Sequence, residues 1–286
     1  MAKVGIIGGS GLYQIEGLKD MEELTIVDTP FGPPSDHFLS GKIEGTEVFF
    51  LARHGRGHHI NPTEINYRAN IFAMKKFGVD AIISVSAVGS LREDIKPMDF
   101  VVPDQFVDRT TKRDCSFFCD GIVAHVSMAD PISGEIANIL INACKSLGIR
   151  VHEKGTYINI EGPQFSTRAE SNLYRSWGMD IIGMTNMVEA KLAREAEIAY
   201  ATLAAVTDYD CWYDGHDNVT VDMVVEYLRK NVDNAKKILA VAVPEIGKLD
   251  KFSAQGALST AIITARDHIK EQKKRELKIL LEKYIT

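Results

Sequence analysis

The stretch "VGIIGGSGLYQ", residues 4–14, runs an apolar segment into Gly8-Gly9-Ser10-Gly11, and its reading decides which kind of α/β protein this is. A dinucleotide fingerprint needs G-x-G-x-x-G opening a helix, with an acid about twenty residues later. Here Gly9-Ser10-Gly11 is followed by Leu-Tyr-Gln, so the third glycine is missing, and Gly17 interrupts the helix that should follow. A Walker loop fails for want of G-K-[ST]. What remains is a glycine turn whose amides and Ser10 hydroxyl suit an anion, or a plain tight turn. This stretch alone leaves both open.

The chain has 286 residues, enough for one large α/β domain or two modest ones. Acidic residues outnumber basic ones, 39 to 33, so there is no bulk attraction for nucleic acid and any anion site must be local. Cys115, Cys119, Cys144 and Cys211 form no CxxC pair and no zinc spacing. Cys115 and Cys119 could stand one helical turn apart or close a small disulfide; free thiols in a reducing compartment are the expectation. The first residues lack a signal-type apolar region, and no run approaches membrane-span length, so a soluble cytoplasmic protein is expected.

Further along, 47–52 reads as a buried strand, and 61–78 as a helix capped by Asn61, opened by Pro62 and ended by Gly78. "DAIISVSAVGSL" reads as a strand ending in a small-residue loop, "DFVVPDQFVD" as another strand, and "SGEIANILINACKSLG" as a helix. "RVHEKGTYINI" and "MDIIGMT" are strand-like around the helical "RAESNLYRSWG". A helix "MVEAKLAREAE" and a buried strand "IAYATLAAVTDYD" follow, then helices over about 221–243 and 253–284. Such alternation predicts a sheet covered by helices on both faces, in one domain over 1–286. Ligands in such sheets bind at strand carboxyl ends, where Gly8–Gly11, Arg53–His59, Ser84–Ser90, Thr185 and Thr207–Asp210 stand.

Those ends carry chemistry. "LARHGRGHH" sets Arg53, His54, Arg56, His58 and His59 after a strand; arginine offers a donor fork for phosphate oxygens and histidine another donor. The bland reading is a solvated basic loop, and a zinc site from His54, His58 and His59 lacks an acidic or cysteine partner nearby. Ser86, Ala87 and Gly89 permit close backbone approach, but small residues also serve plain packing. Phe165 and the cap-like Ser166 fit an ordinary helix start. Asp208 and Asp210, at i and i+2 after an apolar strand, suit one side of an extended chain, where an apolar site raises a carboxyl pKa toward proton donation. They also suit a pair of loop aspartates.

In series, "GIIGGSGL", "DTPFGPPSD", "LARHGRGH", "NYRANI", "GSLREDIKPMDFVVPDQFVDRT", "IEGPQFSTRAES", "GMTNMVEAKLAREA" and "VTDYDCW" span residues 5–212. Together they resemble the purine nucleoside phosphorylase family, in its trimeric branch containing 5′-methylthioadenosine phosphorylases. The resemblance implies one domain with a central mixed β-sheet flanked by helices. It implies phosphorolysis of 5′-methylthioadenosine to adenine and 5-methylthioribose 1-phosphate, with phosphate as co-substrate and no metal or organic cofactor. It assigns phosphate binding to Ser10, Arg53, His54, Ser86, Ala87 and Thr185. It sets Met184 under the ribose, Phe165 on the purine, and Ser166 and Thr207 beside it. Asp208 and Asp210 meet the base, with Asp208 as proton donor to N7, and Asp208 suits the 6-amino group of adenine where relatives acting on 6-oxopurines carry asparagine. Val221, Val224, Val225 and His58 would line the methylthio pocket, and His125 would reach it from a neighbouring subunit of a trimer or dimer of trimers. The sequence departs from the pattern at Val188, where many relatives have proline, and at Gln164, arginine in some. Rival readings are a phosphorylase for adenosine or 6-oxopurine nucleosides, a hydrolase, and a non-catalytic nucleoside-binding module.

Overall fold

In a computed structural model, residues 1–13, 15–24, 27–213 and 221–285 are described, with the backbone alone at 10, 13, 221–226 and 228. The strands are β1 (Val4–Gly8), β2 (Leu18–Leu24), β3 (Phe38–Ile43), β4 (Thr46–Ala52), β5 (Ala81–Ser90), β6 (Phe100–Val101), β7 (Gln105–Asp108), β8 (Val151–His152), β9 (Thr156–Asn159), β10 (Ile181–Gly183) and β11 (Ala199–Asp208). The helices are α1 (Tyr67–Lys76), α2 (Gly134–Ser146), α3 (Arg168–Ser176), α4 (Asn186–Glu195), α5 (Val221–Gly247), α6 (Glu271–Glu276) and α7 (Lys278–Leu281).

The strands make one mixed sheet in the order β2-β3-β4-β1-β5-β10-β9-β7, with β11 beside β5 and β6. β1 lies parallel between β4 and β5, and β11 runs parallel to β5 from Ala199↔Ala81 to Asp208↔Gly89. These central strands are buried on both faces, which is why they read as unbroken apolar runs rather than alternating ones. Helix α5 packs on β11 and α2, while α4 packs on β11, β5 and α1. The fold is the single-domain mixed sheet flanked by helices that the resemblance implies.

Four local expectations change. Helix α1 begins at Tyr67, with the Asn66 side chain accepting from Ala69 N; Asn61 instead closes a turn by accepting from Thr63 N and Glu64 N. The small residues after Ser84 are not a loop, because β5 continues to Ser90 by pairing first with β11 and then, at Gly89 and Ser90, with β10. "DFVVPDQFVD" splits at Pro103 into β6 and β7, since proline supplies no ladder N–H. The expected helix over 253–284 is only α6 and α7. Gly256 has φ +89°, and residues 261–264 spend their backbone groups on the 123–125 segment, with His125 N donating to Ala261 O and Ile263 N to Val123 O. The exposed strand β2 and the half-buried β3 were not foreseen, for β2 alternates few apolar residues with lysine and acids and buries none of them.

Candidate active site

The carboxyl ends of β1, β4, β5, β10 and β11 open into one cavity of about 1040 Å³. Arg53, His54, His58, Ser86, Ala87, Phe165, Ser166, Met184, Thr185, Thr207, Asp208 and Asp210 all line it, together with Gly9 and Gly11. The backbone of Ser10 lies between those glycines in one 3-10 turn, Ser10–Tyr13; its side chain is outside the described residues, as are those of Val221, Val224 and Val225. His125 does not line the cavity of its own chain and is exposed.

One wall is built around Arg53, 3% exposed, whose backbone N donates to Gly8 O at 3.0 Å and ties β4's end to the glycine turn. Its Nε donates to Glu189 Oε1, and one terminal nitrogen to Glu189 Oε2 (3.2 Å) and Ser84 Oγ (2.5 Å). Burial alone would weaken the guanidinium's charge, but the Glu189 carboxylate holds its pKa above the ordinary value. Ser84 and Tyr200 also donate to Glu189, and Asn186 donates to Ser84, Tyr200 and Thr202. A buried charge surrounded this way is fixed in direction. Thr185 stands at the N-cap of α4 with no side-chain capping bond, so the positive end of the helix opens toward this wall. The Ser86 hydroxyl is buried there without a well-formed hydrogen bond.

His54 Nδ1 lies 2.8 Å from Ile60 O, and since a carbonyl only accepts, Nδ1 carries the hydrogen. Burial first, then the Arg53 charge, pushes its pKa down to about 4, so the ring is neutral and Nε2 is an acceptor. The expected donor role is thereby corrected. The His58 ring stacks on it with centroids 4.3 Å apart.

The opposite wall carries the carboxyls. β11 shifts register between Val206 and Asp208, a bulge that turns Thr207 and Asp208 at the strand's end. Asp210 follows in a left-handed turn (φ +52°), so the two acids meet because the chain doubles back, not because it is extended. Asp208 Oδ1 accepts from Asp210 N (2.8 Å) and Oδ2 from Thr207 Oγ1 (2.7 Å). Burial raises the Asp208 pKa against those two bonds. Asp210 is pushed up to about 6, mainly by burial and further by the Asp208 charge, although the Ser171 hydroxyl favours its ionised form. Its Oδ2 is buried without a well-formed hydrogen bond.

Gly89 makes room for this pair: a Cβ there would lie 2.9 Å from Asp208 Oδ1, 3.0 Å from Ile182 and 3.4 Å from Asp210 Cβ. Gly89→Ala is expected to lower kcat/KM for the nucleoside at least about tenfold by displacing the acids, since small misplacements near the chemistry are costly. Steady-state kinetics with both substrates varied would check this, with phosphate KM expected to stay within about twofold.

Sequence reasoning passed over Glu189 as a site residue, naming it only as part of a helix. The helix buries two acids, Glu189 and Glu195, and among the described residues only the first meets a cation, so the sequence alone carried no signal that would pair it with Arg53. It also missed Arg113, which donates to the carbonyls of Met184 and Glu161 and lies 3.1 Å from the Glu161 carboxylate, pinning the segments that carry Met184 and Phe165. Gly162 (φ +67°) leaves room for the Met184 sulfur. Val188 is buried in the first turn of α4, which begins at Asn186 without proline.

A sequence profile described as Phosphorylase superfamily matches residues 3–244. An S-methyl-5′-thioadenosine phosphorylase of Thermosynechococcus vestitus is 56% identical over 288 residues, covering 99% of each chain. A crystal structure of a methylthioadenosine phosphorylase from an Antarctic soil metagenomic library superposes with a TM-score of 0.93 at 51% identity, covering 98% of this chain and 99% of that one. A variant of the adenosine/methylthioadenosine phosphorylase of Schistosoma mansoni in complex with adenine gives 0.88 at 38% identity, covering 93% and 100%. With the motif series, the sheet order and the near-full-length identity in agreement, the chain belongs to the methylthioadenosine phosphorylases of the phosphorylase superfamily.

Proposed function

We propose that the chain catalyses phosphorolysis of 5′-methylthioadenosine, releasing adenine and 5-methylthioribose 1-phosphate. One observation carries the site assignment: a single cavity holds a fixed guanidinium on one wall and a carboxyl of raised pKa on the other. Phosphate binds against Arg53, Ser86, the Ala87 backbone, Thr185 and the Ser10 turn, near the positive end of α4. His54 Nε2 accepts from the one P–OH that hydrogen phosphate retains near neutrality.

A phosphate oxygen attacks C1′ as the bond from C1′ to N9 breaks and its electron pair moves into the purine. A proton delivered to N7 neutralises the leaving base. The resemblance gives that proton to Asp208; the geometry favours Asp210. Both Asp208 oxygens already accept hydrogen bonds, which oppose the effect of burial and favour the ionised form, whereas Asp210 Oδ2 is buried without a well-formed hydrogen bond. Two neighbouring carboxyls divide the roles by holding one proton between them. Ionised Asp208 then accepts from the 6-amino group, which selects adenine over 6-oxopurines. Phe165 covers the purine and Met184 the ribose.

In this reading the reaction takes no metal and no organic cofactor. The protein works in the cytoplasm as a trimer, or dimer of trimers, in which His125 of each chain completes the methylthio pocket of the next beside His58 and the Val221, Val224 and Val225 positions. Adenine release from methylthioadenosine, followed with and without phosphate, tests the reaction. Release only with phosphate is expected, and equal release without it would mean a hydrolase. Preference for inosine would overturn the role of Asp208.

A further inference from the structure

Asn231 stands on α5 at the cavity wall and is 1% exposed. Its Nδ2 donates to Val206 O at 2.9 Å, and since a carbonyl only accepts, this bond fixes which way the side-chain amide is turned. The remaining atom, Oδ1, is buried without a well-formed hydrogen bond. Val206 O already has a backbone partner, because Met98 N donates to it at 2.9 Å, while Val206 N donates to Asp99 O at 3.0 Å. For stability alone the balance is unfavourable: one extra bond to a carbonyl already satisfied, against one buried oxygen that is not. A leucine of similar size would avoid that cost. What asparagine adds is a second hold on the Val206 carbonyl, and so on the direction of one peptide plane.

That plane is where β11 leaves its register. Up to Val206 the strand pairs with β5 residue for residue, Ala205 with Ala87 and Val206 with Val88; the next pair is Asp208 with Gly89, so Thr207 is the extra residue. The peptide between Val206 and Thr207 therefore sets how the bulge departs from the ladder. Thr207 and Asp208 follow directly, joined by the bond from Thr207 Oγ1 to Asp208 Oδ2 at 2.7 Å, and both line the cavity. We propose that Asn231 is a positioning residue that, through this peptide, sets Thr207 and Asp208 against the purine. The assignment rests on the proposed phosphorolysis and holds whichever of Asp208 and Asp210 carries the proton. It gives Asn231 an effect on nucleoside turnover rather than on phosphate binding.

The test is Asn231→Leu, which keeps the volume and loses both polar atoms, beside Asn231→Asp, whose carboxyl can donate to Val206 O only while protonated. Both are assayed for phosphate-dependent adenine release from methylthioadenosine across pH, with circular-dichroism melts. Asn231→Leu is expected to lower kcat/KM for the nucleoside about tenfold, since small misplacements near the chemistry are costly, with phosphate KM within about twofold. Its melting temperature should stand at or above that of the wild type, because the variant no longer buries an unsatisfied oxygen. That combination separates positioning from packing, for a structural residue would lose stability along with activity. Relative to wild type, Asn231→Asp should keep its activity at low pH and lose about tenfold as the new carboxyl ionises, which supplies the answer if the leucine variant does not fold. Wild-type kcat/KM in Asn231→Leu, a loss there matched by a fall in melting temperature, a rise in phosphate KM equal to the loss, or a pH-independent ratio of Asn231→Asp to wild type would each overturn the positioning role. Wild-type release that ignores phosphate would instead overturn phosphorolysis itself.

Discussion

Arg53→Ala is expected to reduce phosphate-dependent adenine release by about a thousandfold, the upper range for losing one preorganised donor at a reacting anion. The residual release should no longer saturate with phosphate. The cause is specific to this wall: Arg53 brings its charge to the cavity already neutralised behind by Glu189, so its direction matters as much as its presence. Removing it also leaves Glu189, 2% exposed, without its cation, at a cost of roughly 3–5 kcal/mol in stability. A drop in melting temperature should therefore accompany the loss of activity. Glu189→Gln separates the two effects. It keeps the guanidinium charged and an amide within hydrogen-bond reach but loosens its aim, so phosphate KM should rise about tenfold while phosphate still saturates the enzyme. Phosphate titrations of wild type and both variants, with circular-dichroism melts, give the answer. Retention of wild-type phosphate kinetics in Arg53→Ala would remove the residue from the nucleophile's site.

What the sequence made legible followed from local chemistry. The missing third glycine excluded a dinucleotide turn, and in the structure Gly9 and Gly11 do flank one small part of the cavity wall. Arg53, Thr185, Asp208 and Asp210 could be placed at strand ends because unbroken apolar runs stop there, whereas Ser86 lies inside β5, which runs on to Ser90. Contacts between distant segments were not legible. Glu189 finds Arg53 across 136 residues, and nothing in either local pattern records that pairing. His54 looked like a donor until Ile60 O fixed its tautomer. Asp208 and Asp210 were rightly joined for a wrong reason, since i, i+2 spacing presumes an extended chain and Asp210 lies in a left-handed turn. The segment over 253–284 misled because its amphipathic composition outweighed Gly256 and the pairing of residues 261–264 with 123–125.

Asp210→Asn is expected to lower kcat on methylthioadenosine about a hundredfold or more, since an amide fills the same space but carries no transferable proton. The pH dependence distinguishes this from a simple loss of binding. In the free enzyme the Asp210 pKa is pushed up to about 6 by burial and by the Asp208 charge, so the proton is present below that value and lost as pH rises through it. Wild-type kcat/KM should therefore fall on the alkaline side with a limb well above the ordinary carboxyl range, and Asp210→Asn should flatten that limb. Asp208→Asn makes the necessary contrast. It removes the charge that helps raise Asp210, and the ionised acceptor for the 6-amino group, so it should lose discrimination between methylthioadenosine and its 6-oxo counterpart while retaining an alkaline limb moved to lower pH. If the limb instead vanishes in Asp208→Asn and persists in Asp210→Asn, the proton belongs to Asp208 and the two carboxyls exchange roles. The cavity permits only one of these outcomes to be favoured by geometry: the buried oxygen without a well-formed hydrogen bond is on Asp210, and an oxygen that already accepts from Thr207 or the backbone is better kept charged than protonated.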